Sequence, residues 1–219
     1  MDTKTVKKVI FYVTFLAIVI TGIIFKQPFI RMLPLLISLF IMLFQAEASR
    51  YSYIAGGLNS LLYAYVYFRL GLYATGASAL FFSFPIQILT FLNWNKHAYE
   101  KSTRFKHLSG KAGVGIGTGF VLAWLAVFTV LKHTGSAYAV LDNTASLLGV
   151  TVSVLTMMAY VEYPYLWFVS SLINMILNIQ VVLNDPCHIP YVIYAVYCTW
   201  CVVLAFIHVR KLYAEQQKA

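Results

Sequence analysis

The chain has 219 residues, of which 61% are hydrophobic and only 11% charged, and it carries a formal net charge of +9. Soluble domains run nearer half apolar and a quarter charged, so a soluble enzyme or binding module is excluded and an all-α integral membrane protein is expected. The basic excess does not read as a nucleic-acid surface, because the aromatic residues lie in apolar runs rather than among the lysines and arginines.

A bilayer span needs about 17–25 mostly apolar residues, and eight segments qualify: 9–25, 29–45, 51–68, 72–93, 113–131, 138–161, 165–183 and 190–209. The first follows Lys4, Lys7 and Lys8 but precedes no small-x-small cleavage site, so it is expected to remain as a helix and not as a signal peptide. With a cytoplasmic N-terminus, twelve of the 16 lysines and arginines fall in inside segments. That excess predicts both termini in the cytoplasm, with the basic run Lys96 to Lys111 beside anionic lipid headgroups.

In the third span Asn59, Ser60 and Tyr63 stand in apolar surroundings, followed in the fourth by Gln87, Thr90, Asn93 and Trp94. The fifth opens on "GVGIGTG", which lacks the strand and Lys-Ser/Thr of a phosphate loop and instead spaces small residues for close helix packing. Trp124, farther along it, is expected to pack. The seventh carries Trp167, Ser170, Ser171, Asn174, Asn178 and Gln180, and the eighth Thr199 and Trp200. Amides four residues apart share a helical face, and an unpaired amide in hydrocarbon costs several kcal/mol. Each stripe must therefore face protein or a wet cavity.

Shifting the sequence by 115 residues lays Asn59 on Asn174, Tyr63 on Asn178 and the turn at Gly71 on Pro186. The shift spans four helices, so the copies enter the membrane in the same direction. The expected plan is two parallel three-helix repeats joined by one linker helix (3+1+3), preceded by one N-terminal helix. The bounds are 1–28 for the extra helix, 29–95 for the first repeat, 96–136 for the basic loop and linker, 137–212 for the second repeat and 213–219 for a cytoplasmic tail. Parallel repeats are a transporter plan, with substrate bound between the copies.

The acids Glu47, Asp142 and Glu162 all sit toward span ends, so a proton relay or sodium site has no obvious ligand. Facilitated diffusion of a flat, polar, stackable solute is the natural expectation, with an ion-coupled transporter as an alternative. A receptor or scaffold would leave the matched stripes unexplained. Five scattered histidines form no ligand pair, and Cys198 and Cys201 are expected to be packing residues, so no enzyme, metal site or cofactor is predicted.

The stretches "YSYIAGGLNSLLYAYVYFRLGLY", "FPIQILTFLNWNKH" and "EYPYLWFVSSLINMILN" resemble the PnuC family of bacterial vitamin transporters, over residues 29 to 212. The resemblance implies a SWEET-like fold, a homotrimer in the bacterial inner membrane, and passive uptake of nicotinamide riboside. It also implies trapping of the vitamin by a cytoplasmic kinase. The nicotinamide riboside carriers usually show an acid and two tryptophans three apart at the start of helix 7. Here Glu162 is followed by Pro164 in place of the first, and Trp167 alone remains. One aromatic platform fewer leaves thiamine, or another flat vitamin, as the alternative cargo. On this basis Asn59, Gln87, Asn174 and Asn178 are expected to hydrogen-bond the ligand, and Tyr63, Trp94, Trp167 and Trp200 to stack on it or gate it. For Trp94, interfacial anchoring is the competing role.

Overall fold

In hydrocarbon every peptide group must be satisfied internally, which for a single apolar run means a helix. The computed structural model describes residues 3–134 and 138–218. It is helical at each expected span: α1 (Thr3–Ile24), α2 (Phe29–Ala46), α3 (Ser52–Arg69), α4 (Tyr73–Lys96), α5 (Gly110–Thr134), α6 (Ala139–Met157), α7 (Tyr163–Asn184) and α8 (Ile189–Gln216). The junction expected between residues 136 and 137 lies outside the described residues, as do the extreme ends of the terminal segments. Among the described residues seven helices are long and apolar enough to cross a membrane, so the chain is a multi-pass membrane protein. The helix that falls short is α3, whose 18 residues include Asn59, two serines and four tyrosines.

Four helices end in the same way. A residue in the left-handed conformation follows α1 (Lys26), α2 (Ala48), α3 (Gly71) and α6 (Ala159). The next N–H then reaches five residues back, as in Leu72 to the Tyr67 carbonyl at 3.0 Å and Tyr160 to that of Leu155 at 3.0 Å. This closes the orphan carbonyls of the last turn. Only at Gly71 does the residue type make that turn visible in the sequence.

Within α4 an α-helical start (Tyr73–Ser78) passes through a π turn (Ala79–Ser83) into Phe84–Lys96. The inserted residue rotates everything after it, and such turns recur at functional sites.

Helices α2, α3 and α4 pack together, as do α6, α7 and α8, and the two groups meet where α2 touches α8 and α4 touches α6. The outlying α5 lies on α6, and α1 on α8 and α2. Glycines 115, 117 and 119 of α5 face open space, so the close packing expected of "GVGIGTG" is not made within this chain.

The loop between α4 and α5 is ordered. Its hairpin pairs Ala98–Tyr99 with Ser102–Thr103, and Arg50 binds it through the Lys101 carbonyl at 3.0 Å. Lys106 bridges to the α6–α7 turn through Ala159 and Val161, both at 3.0 Å. The Gln216 side chain accepts from the Phe105 N–H and donates to the Thr103 carbonyl, each at 2.8 Å. This stitching seats Phe105 against Trp94 and Tyr163 in an apolar cluster that closes one end of the bundle.

Candidate substrate cavity

A cavity of about 250 Å³ lies along the α4–α6 seam. It is lined by Gln45 of α2, Tyr53 of α3, Ser83, Gln87 and Thr90 of α4, Gly149, Val152, Ser153 and Thr156 of α6, and Tyr163, Trp167, Ser170 and Asn174 of α7. Every lining side chain is uncharged, and five of the six helices in the two three-helix groups bear on it with polar side chains. A larger groove, about 1010 Å³, opens beside α1 and α2, but it is walled by Leu36, Phe40 and Phe44 and by the Lys7–Glu47 ion pair, away from the seam.

Of the eight residues expected to meet the ligand, three line this cavity. The π turn brings Gln87 to it, where Nε2 donates to Ser60 Oγ at 3.0 Å. The Gln87 Oε1 atom is buried without a partner. Gly56 makes that placement possible, since a Cβ there would collide with Oε1 and sit 3.5 Å from Gln45 Nε2. From the other group, Trp167 leans on Tyr163 with ring centroids 6.1 Å apart. The Tyr163 hydroxyl is a second buried atom without a partner. Asn174 donates to the Ser170 carbonyl at 2.9 Å.

The other five stand elsewhere. Asn59 ties α3 to α2, its Nδ2 donating to the Pro34 carbonyl at 3.0 Å and to Ser38 Oγ at 2.7 Å. Tyr63 stacks on Tyr67 at 5.4 Å, toward the α2–α8 side. Asn178 holds His188, Oδ1 to Nε2, at 2.7 Å. His188 is fully buried and stacked on Tyr191 at 4.1 Å. Trp200 packs on Tyr197. Trp94 is neither exposed to the cavity nor at an interface: it is fully buried, edge-on to Tyr53 at 4.9 Å and to Phe105 at 5.7 Å.

Trp94 Nε1 donates to the Thr156 carbonyl at 2.8 Å and the neighbouring Asn93 Nδ2 to that of Met157 at 2.7 Å. Together they cap the last turn of α6 and form the floor behind Tyr53 and Thr156. Trp94→Phe is expected to cost about 1–3 kcal/mol, the loss of one buried bond and some packing; a lowered unfolding temperature in detergent checks it.

Sequence reasoning missed Gln45, Tyr53 and Tyr163. Tyr163 is adjacent to the substituted Pro164, which is the one local signal that points to it. It also did not foresee the role of Asp142. That carboxylate is fully buried in the first turn of α6. It accepts from the N–H groups of Ala74 and Thr75, each at 3.0 Å, and from the Thr75 hydroxyl. Asp142 thereby caps the opposite end of α4 from across the seam.

A sequence profile described as nicotinamide mononucleotide transporter matches residues 28–209. The nicotinamide riboside transporter PnuC of Neisseria mucosa is 27% identical over 135 residues, 56% of this chain and 49% of that protein, so the match spans about half the length of this curated relative. The crystal structure of the vitamin B3 transporter PnuC superposes with a TM-score of 0.81 at 19% identity, over 95% of this chain and 92% of that one, a likeness of fold. A polar cavity between two helix groups is the arrangement a carrier requires, and the profile extends over nearly the whole chain: the chain belongs to the PnuC, or nicotinamide mononucleotide transporter, family of membrane carriers.

Proposed function

We propose that this carrier mediates facilitated uptake of nicotinamide riboside across a bacterial inner membrane, with both termini cytoplasmic and the vitamin trapped inside by a kinase. The observation that carries it is an uncharged cavity in which Gln87 Oε1 and the Tyr163 hydroxyl lie buried without partners beside Trp167. A carboxamide N–H₂ satisfies the first, ribose hydroxyls the second, and the ring of Trp167 receives a flat pyridinium through stacking and cation–π attraction. Tyr53 and Tyr163 supply aromatic surface where Pro164 removes a tryptophan. A phosphate would find no lysine, arginine or histidine in the lining, which favours the nucleoside over the nucleotide of the family's name.

All eight helices cross in this scheme, α3 with its polar face turned inward, and the 3+1+3 plan is supported by the pairing of groups. Advancing each helix by one repeat exchanges the α2–α8 contact for the α6–α4 contact. The α2–α3 and α6–α7 turns, moreover, both close on a left-handed alanine. The bare Gly115 and Gly119 of α5, which lie outside the groove lined by Gly113 and Gly117, support assembly into the homotrimer.

Calorimetry on the purified protein tests the cargo. Nicotinamide riboside is expected to bind, and the mononucleotide to bind weaker by about two orders of magnitude or more, because an uncompensated buried charge costs several kcal/mol. Equal binding of the two would sink the proposal. Preference for thiamine over nicotinamide riboside would reassign the cargo to the pocket rebuilt around Pro164.

A further inference from the structure

Away from the cavity, a groove of about 510 Å³ runs between α5, α6 and α7. It is apolar along Ile116, Phe120, Leu155 and Val169, and Gly113 and Gly117 leave the backbone of α5 bare on its floor, with nothing within 4 Å of the Gly117 Cβ direction. Farther along, Trp124 pins α5 to α6, its Nε1 donating to Thr144 Oγ1 at 3.0 Å and its carbonyl accepting from Asn143 at 2.8 Å. The groove therefore ends short of Trp124, on the side nearer the basic loop.

At that end it runs into a cleft of about 650 Å³, and the two share Glu162 and Tyr165. The carboxylate of Glu162 is taken up by the loop, with one oxygen against His107 and the other accepting from the Leu108 N–H at 3.1 Å. Arg210 is left as the cation of the cleft, lying over Phe206 at 4.7 Å and over Tyr165, whose hydroxyl it meets. Among the described residues it has no carboxylate partner. Lys106 and Lys111 flank the same loop.

We infer that groove and cleft together bind one anionic phospholipid, an acyl chain lying on the glycine floor and the phosphate at Arg210. The ordering of elements matches such a lipid: apolar walls at hydrocarbon depth, an amphipathic tyrosine at the boundary and an unpaired guanidinium at the headgroup level. Binding there joins the loop, α5 and α7, the parts that close the bundle beneath Trp94, so the lipid steadies that end.

The test uses full-length protein, delipidated in detergent and titrated with phosphatidylglycerol or phosphatidylcholine while native mass spectra and unfolding temperature are recorded. Phosphatidylglycerol is expected to be retained as one molecule per chain and to raise the unfolding temperature, and phosphatidylcholine to do neither. Arg210→Gln should weaken retention about fivefold, the worth of one cation at the headgroup. Gly117→Leu, whose side chain enters open space and leaves the fold alone, should remove retention by filling the floor. Equal effects of the two lipids, or the same stabilisation by inorganic phosphate, would overturn the inference. So would efficient disulfide crosslinking of Gly117→Cys in native membranes, which would place a second copy of the chain in the groove.

Discussion

Gln87→Leu is expected to weaken binding of nicotinamide riboside, the proposed cargo, by roughly 10- to 100-fold, the 1–3 kcal/mol lost when a buried polar partner is removed. The glutamine oxygen is the one acceptor that the π turn delivers into the cavity with nothing bonded to it. Leucine keeps the volume but offers the ligand's amide no partner, and it also releases Ser60. Gly56→Ala should mimic it from behind, because its methyl occupies the place of the Gln87 carbonyl. Asn178→Ala supplies the contrast. It is expected to lower the unfolding temperature by freeing the buried His188 while leaving ligand affinity unchanged, because the Asn178 amide is committed away from the cavity. Calorimetry and uptake into proteoliposomes on all three variants would separate them, and wild-type affinity in a folded Gln87→Leu protein would remove Gln87 from the site.

The second large effect falls on stability. Asp142→Ala leaves the N–H groups of Ala74 and Thr75 without an acceptor in an apolar setting. At 1–3 kcal/mol for each orphaned donor, the loss is about 2–6 kcal/mol, enough to deplete folded protein in the membrane. Asp142→Asn keeps one acceptor oxygen and should fall between. Thermal unfolding of the detergent-solubilised variants orders the three, and Asp142→Ala at wild-type stability would show that the cap is dispensable.

The spans were legible in the sequence because length and hydropathy alone demand helices in hydrocarbon. Even the polar α3 was found, as a mostly apolar run over 51–68 that ends at the turn of Gly71. What polarity did not reveal is the identity of each amide's partner. Asn59 and Asn174 occupy matching places in the two stripes, yet one bonds a neighbouring helix and the other lines the cavity. A buried amide satisfies the same energetic requirement in either way. Trp94 next to Asn95 and Lys96 has the local pattern of an interfacial anchor, and it is buried because Tyr53, Phe105 and the end of α6 close over it. Likewise "GVGIGTG" announced close packing, yet Gly115, Gly117 and Gly119 meet nothing of this chain within 4 Å.

The seam between α4 and α6 is capped at both ends, and in opposite senses: α6 caps α4 through Asp142, and α4 caps α6 through Asn93 and Trp94. Parting the helices at either end therefore means breaking two or three buried hydrogen bonds, while the other end stays closed. At about 1 kcal/mol net for each such bond, the barrier to opening rises by roughly 2–3 kcal/mol per end, a slowing of about 30- to 150-fold. In the carrier proposed above these two sets of bonds act as latches, and a leak open to both sides would require both sets to fail at once.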